Sequence, residues 1–308
     1  MRKLGTNTIK GMAAMLVLGA AVAVTSAATK GPDAGGYSAT DSAVYSLVDI
    51  SGASGGTSIL AGVDDGVAAL TIPFAFRFYG KSYTIACASS NGALYLVDLS
   101  TSCDGFFDFA NTDISSTTTP NDFAAVLPFW SDLTFQVPGG GSVFYQTIGT
   151  PGSRKFIVQW KDAYPQGSLN PVTFQVILHE GSNRILFQYQ NVNLGDVNPT
   201  SNGGRATIGI RNTGALTTQQ QIEWSYNAPV LANASVLQFA PAAVKQLADV
   251  NSDGVVSCAD VAIVKGAFGK RAGQAGFDAR ADVNNDRLVN VMDLTIVSRS
   301  LPAGTSCP

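Results

Sequence analysis

Asp249-Val-Asn251-Ser-Asp253-Gly254-Val255-Val-Ser257-Cys-Ala-Asp260 recurs 33 residues later as Asp282-Val-Asn284-Asn-Asp286-Arg287-Leu288-Val-Asn290-Val-Met-Asp293. Both copies place oxygen-bearing side chains at positions 1, 3, 5, 9 and 12 of the loop. Position 7 (Val255, Leu288) offers a backbone carbonyl, so its side chain is free to be apolar. A hard cation such as Ca²⁺ takes about six to eight oxygens at roughly 2.3–2.6 Å, and this layout supplies them.

The repeat extends beyond the oxygens. Ala248-Asp-Val-Asn matches Ala281-Asp-Val-Asn, and Val261, Ile263, Val264 and Phe268 fall opposite Leu294, Ile296, Val297 and Leu301. The first, fourth and eighth positions of each stretch share one helical face. Each unit is therefore a loop feeding a short amphipathic helix, too small to bury its apolar side alone. Two units packed together solve that problem, with calcium fixing both helix starts. A single Asp/Asn/Gly-rich stretch is as readily an ordinary turn. Two in register, each followed by a helical pattern, favour the metal.

This duplicated pattern resembles the type I dockerin module, across about residues 245–308. The resemblance implies two calcium ions and a cohesin-like partner carried by a scaffold or cell-surface protein. It assigns one ion to Asp249, Asn251, Asp253 and Asp260, with the Val255 carbonyl. The other falls to Asp282, Asn284, Asp286 and Asp293, with the Leu288 carbonyl. Ser257 and Asn290 act through water. Two departures stand out. Arg287 occupies a turn position that favours positive φ, which costs a non-glycine residue about 1 kcal/mol or more. Positions 10 and 11, a Ser/Thr pair in many dockerins, are Cys258-Ala259 and Val291-Met292 here.

At the other end, Arg2, Lys3 and Lys10 precede the apolar run Met12–Val24 and the small residues Thr25-Ser-Ala-Ala28. That is the pattern of a secretory signal peptide, with an apolar part too short to span a bilayer stably. Its removal takes three positive charges and moves the formal net charge from −3 to −6. With no basic cluster to follow a phosphate backbone, nucleic acid is not an expected partner. The expected address is extracellular or cell-surface, where millimolar calcium suits weak acidic sites. Four cysteines in an exported chain predict two disulfides. Of three possible pairings, segment position favours Cys87–Cys103 and Cys258–Cys307, the second clasping the ends of the duplicated unit.

Residues 29–243 read as mainly β: short alternating runs separated by Gly, Asn, Pro and Ser, with almost no helical periodicity. Expected strands are 69–78, 92–97, 124–130, 142–146, 155–160, 172–179, 184–189 and 206–210, with Glu180-Gly-Ser-Asn183 as a hairpin turn. A chain segment this long makes a two-sheet antiparallel sandwich with an ample core. Ile72-Pro-Phe-Ala-Phe-Arg-Phe-Tyr-Gly-Lys-Ser-Tyr83, Ser89-Ser-Asn-Gly-Ala-Leu94 and Leu127-Pro-Phe-Trp-Ser-Asp132 resemble phrases of the nidogen-like extracellular domain. So do Phe156–Trp160, Phe174–Tyr189 and Ala206–Ile210. The resemblance covers most of residues 40–240 and implies an adhesion or matrix module. The expected organisation is a signal peptide over 1–28, the sandwich over 29–243, and a small helical calcium-loop domain over 244–308. A short linker, Pro241–Lys245, separates the last two.

No catalytic residue is assigned. The single histidine, His179, has no nucleophile-elbow sequence or second histidine to support it, and reads as a solvated strand end. Asp64, Asp65, Asp132, Asp162, Glu180 and Glu223 could form a carboxylate pair by residue type alone. Trp130 and Trp160 read as core. In Cys103-Asp-Gly-Phe106-Phe107-Asp-Phe109, Phe107 and Phe109 are expected to point inward while Phe106 covers an edge. The functional expectation is an exported, non-catalytic adhesion or assembly protein that docks through calcium. The alternative is a carbohydrate-binding or polysaccharide-degrading protein carried by a dockerin.

Overall fold

The computed structural model describes residues 1, 27–106, 108–116, 123–195, 199–241, 248–251, 256–301 and 305–307. The signal peptide, the linker after Pro241, and Ser252–Val255 of the first loop lie outside the described residues, wholly or in large part. In chain order the first strands are β1 (Thr29–Lys30), β2 (Tyr37–Thr40), β3 (Thr57–Ile59), β4 (Val67–Phe78) and β5 (Lys81–Ser89). They continue as β6 (Leu94–Val97), β7 (Ala124–Trp130), β8 (Leu133–Thr134), β9 (Ser142–Ile148) and β10 (Lys155–Pro165). The last are β11 (Val172–His179), β12 (Ile185–Asn191), β13 (Thr207–Arg211), β14 (Gln221–Tyr226) and β15 (Ser235–Pro241). A single helical turn, α1 (Ala215–Thr218), joins β13 to β14, and two helices follow the sandwich: α2 (Cys258–Gly266) and α3 (Val291–Arg299).

Two antiparallel sheets form the sandwich. One runs β1-β2-β15-β12-β11-β10-β9-β3, with β8 on β10; the other runs β14-β13-β7-β6-β5-β4. On β4, Leu70, Ile72, Phe74, Phe76 and Phe78 are buried while Thr71, Pro73, Ala75 and Arg77 are exposed. That period of two is what one core face and one solvent face require. Pro73 donates no ladder bond, and it sits on the outermost strand where the register slips between Thr71 and Phe76. Between the sheets, Phe174 stacks on Trp160 at 5.2 Å and on Phe129 at 5.3 Å, each contact worth about 1 kcal/mol beyond burial.

The central strands β10 and β11 are buried on both faces, so alternation disappears from them. Their outer face carries Gln159, Gln175 and Gln188, in register on three neighbouring strands. These amides act as backbone substitutes for the segment that crosses them. Gln188 accepts from Ser46 N at 2.6 Å and donates to Ser46 O at 2.9 Å. Gln175 accepts from Val48 N at 3.3 Å and donates to Val48 O at 3.0 Å. Gln159 accepts from Ile50 N at 2.9 Å. A non-strand segment is thereby held over an apolar patch of Ile50, Ile157 and Ile177. The other sheet has its own cover: Cys103, Phe106, Ile114 and Phe123 pack on Cys87, Tyr95, Leu127 and Trp130.

Most expected strands are present, longer or shorter by a few residues. Two expectations need correcting. Phe106 is buried between Tyr95 and Phe123, and Phe109 is half exposed, because this segment is a covering loop and not a strand with alternating sides; Phe107 lies outside the described residues. His179 is half buried, with its Nε2 enclosed and unbonded, so burial first, then Arg184 and Lys155, hold its pKa down at about 4. Gln175→Leu leaves the Val48 N–H and C=O without partners. It should lower sandwich stability by about 1–3 kcal/mol, read as a shifted urea midpoint.

Candidate metal centre

Each of the two C-terminal helices begins at a polar residue followed three positions later by aspartate. Ser257 caps α2 by accepting from Ala259 N at 3.2 Å, and Asp260 returns a bond from Ser257 N at 2.8 Å. Asn290 caps α3 by accepting from Met292 N at 2.7 Å, and Asp293 takes Asn290 N at 2.8 Å. These reciprocal bonds satisfy two of the four amides a helix start leaves open.

The aspartates do more than cap. Asp293 Oδ1 also accepts from Val283 N at 2.8 Å and Asn284 N at 3.2 Å. Asp260 Oδ1 accepts from Asn251 N at 3.1 Å. Each carboxylate therefore pins the beginning of its loop to the end. Both side chains are fully buried, with Asp249 and Asp282 nearly so. Among the described residues no Lys or Arg forms an ion pair with Asp260, Asp282 or Asp293. Burial pushes the Asp260 carboxyl up, and backbone amides of Ser257, Asn251, Val250 and Asp260 itself more than reverse this, so it titrates below the usual range.

The second loop is described throughout. Asp282 accepts from Asp286 N at 3.0 Å and Arg287 N at 2.8 Å, which folds positions 5 and 6 back over position 1. Asp286 Oδ2 is the meeting point: Asn284 Nδ2 lies 2.9 Å from it and Asn290 Nδ2 3.4 Å, while Asn290 Nδ2 also lies 3.3 Å from the Leu288 carbonyl. Positions 3 and 9 thus lie against position 5, and position 9 also against the position 7 carbonyl. Three carboxylates, two amides and a carbonyl are hard oxygen donors, and the set fits Ca²⁺. Arg287 takes φ of 68° and Asn285 φ of 59°, so the non-glycine turn adopts the left-handed conformation its position demands. In the first loop, Asp253, Gly254 and Val255 lie outside the described residues, leaving Asp249, Asn251, Ser257 and Asp260 to be placed.

The helices bury Val261, Val264, Ala267 and Val297 against Val250, Val256, Val283 and Val289. Phe268 is half exposed, contrary to the expected helical face, because α2 ends at Gly266 and Ala267 takes the inner position. After α2 the chain pairs with the second loop: Gly269 N donates to Val289 O at 2.8 Å, and Val289 N to Lys270 O at 2.9 Å. Cys258 is bonded to Cys307, and Cys87 to Cys103.

The carboxylates of the sandwich sit apart from these loops. Glu180 is clamped by Arg154, whose Nε and Nη2 donate at 2.9 and 2.6 Å, and by the amides of Gly152 and Arg154. That arginine and those amides hold it at about 2. Asp162 pairs with Lys161 and accepts from Thr173. Asp64, Asp65 and Asp132 bring one oxygen each within 4.8 Å of one another. Burial, then Asp65 and Asp64, raise Asp132. Glu223 accepts from Ile114 N at 2.8 Å, and burial chiefly, with Asp113 adding, pushes it up to about 7.

An antiparallel sandwich followed by two capped loop–helix units defines a two-part chain of β module and calcium-loop module. Residues 36–248 match the NIDO-related family and residues 247–302 the type I dockerin domain. The chain belongs to the NIDO-related family and carries a C-terminal type I dockerin domain. Type I dockerins typically bind calcium and imply a cohesin partner in cellulosome-like assemblies. No curated protein and no solved structure matches the chain.

Asp293→Ala removes the acceptor of three backbone amides and should cost the helical domain about 3 kcal/mol or more, seen as an earlier loss of ellipticity at 222 nm. Glu223 binds its proton more tightly folded than unfolded. Its contribution is full below about pH 4.5 and is lost as pH rises through about 7. Glu223→Gln should flatten that decline when urea midpoints are compared between about pH 5 and 8.

Proposed function

We propose that this chain is an exported, calcium-dependent docking protein of the adhesion or assembly kind. A leader over residues 1–28 directs it out of the cell, the sandwich over 29–243 is displayed, and the module over 244–308 attaches it to a cohesin-bearing scaffold or surface protein. The observation that carries this reading is the pair of buried aspartates, Asp260 and Asp293, each closing a loop of oxygen donors onto a helix start. Disulfides in both parts agree with an oxidising compartment. Among the described residues no helix is long and apolar enough to cross a membrane.

Two ions are bound. Asp249, Asn251, Asp253, the Val255 carbonyl and Asp260 hold one, with Ser257 acting through water. Asp282, Asn284, Asp286, the Leu288 carbonyl and Asp293 hold the other, with Asn290 acting through water because its Oδ1 is already spent on the helix cap. Calcium neutralises carboxylates that otherwise repel within each loop, and so fixes both helix starts.

The two copies present different surfaces to a partner. Val291 and Met292, in the first turn of α3, are 61% and 58% exposed. Their counterparts in the first copy are Ala259 and Cys258, the latter tied to the chain's tail through Cys307. An exposed apolar pair marks the start of α3 as the docking face. Calorimetric titration of the full chain with CaCl₂ should give two bound ions, and a chelator should abolish helical ellipticity while leaving the β signal. Absence of calcium heat, or helices indifferent to chelation, would overturn the proposal.

A further inference from the structure

A cavity of about 410 Å³ opens beside β14 and β15, lined by Asp41, Tyr45, Trp224, Leu231, Ser235 and Val236 among others. Its size falls in the range of small-molecule sites, roughly 300–1,000 Å³. The hydrogen bonding of its tryptophan sets it apart from the other two tryptophans of the sandwich. Of three tryptophans, Trp130 donates its indole N–H to Asp108 O and Trp160 to Ser89 O, both at 2.8 Å. Trp224 packs one side against the core, and its Nε1 finds no acceptor among the described residues. Tyr45 also lines the cavity, and its hydroxyl has no hydrogen bond among the described residues. No ring contact joins Tyr45 to Trp224, so the two line the cavity as separate surfaces. Asp41 Oδ1 accepts from Ala28 N at 2.8 Å; Ala28 belongs to the proposed leader, so in the exported chain the carboxylate is an acceptor for the rim.

We propose that this cavity binds a pyranose ring of a neutral oligosaccharide. A pyranose has apolar C–H faces and a rim of hydroxyls that both donate and accept. The indole and phenol rings supply apolar surface for the faces. The indole N–H, the phenol O–H and a free carboxylate oxygen supply one donor, one mixed group and one acceptor for the rim. A cationic ligand would be favoured by rings that close around it. Here Tyr45 and Trp224 share no ring contact and form no such cage, so the neutral sugar fits better. The site is in the β module and is independent of the calcium loops.

The test is calorimetric titration of the full chain with cellohexaose, xylohexaose, mannohexaose and chitohexaose, with choline as the cationic probe. At least one oligosaccharide should bind at a single site, with equal affinity in calcium and in chelator. Trp224→Ala and Tyr45→Ala should each weaken it at least tenfold, with thermal melts reporting whether each variant folds. Failure of every sugar to bind, affinity unchanged in folded Tyr45→Ala, or binding of choline in preference to every sugar would each overturn the assignment.

Discussion

Two buried carboxylates, Asp260 and Asp293, with no Lys or Arg paired to them among the described residues, govern the C-terminal domain. A buried charge is costly unless it is hydrogen-bonded. Here the backbone amides of loop and helix start supply the bonds. One aspartate thus sets helix start, loop closure and ion-site geometry at once. Neither helix, at nine residues, is long enough to be stable alone. Its persistence depends on that cap, on the small valine core, and on whatever neutralises the carboxylates around the loop.

The sandwich solves a different problem. Its central strands are buried on both sides, and each outer face needs a cover. One cover is tied down by three glutamines that imitate a neighbouring strand; the other is tied down by Cys87–Cys103 and an aromatic cluster. Both covers are irregular chain held by side-chain bonds and not by ladders. Irregular backbone of this kind still has polar groups to satisfy. Buried amides on the sheet are the means by which that is done over β10, β11 and β12.

What the sequence made legible follows from range. The two C-terminal loops are legible because their oxygen-bearing residues lie within twelve residues of one another, at a spacing that coordination of a hard cation would dictate. The sheets are legible in outline because apolar runs and the turn residues that bound them are local, and β7 and β11 begin and end where those runs do. The glutamine row is illegible: Gln159, Gln175 and Gln188 look like polar positions on exposed strand faces until the segment at 46–50 is laid over them. His179 misleads similarly, since its burial depends on strands distant in the chain. Phe106 and Phe109 mislead because parity arguments apply to strands, and this segment is not one. Tyr45 and Trp224 carry no local signal at all; only the fold brings them to one cavity.

The duplication is symmetric in its metal chemistry and asymmetric at its surface. Both copies keep the capping box and the closing aspartate, since these are what a loop–helix unit needs to exist. They differ where a partner would touch. Cys258 is withdrawn into a disulfide that secures the domain's tail, and Val291-Met292 is left open. Left-handed strain falls on Arg287 in the second copy, whose described bonds nevertheless close every turn of the loop. Selection on stability explains the shared features. It does not explain two adjacent apolar side chains exposed at the start of α3, which raise solubility costs with no gain in the core. A surface that is unfavourable in isolation and adjacent to the proposed ion site is what the proposed calcium-gated contact requires, because loss of the ion would disorder the contact together with the site.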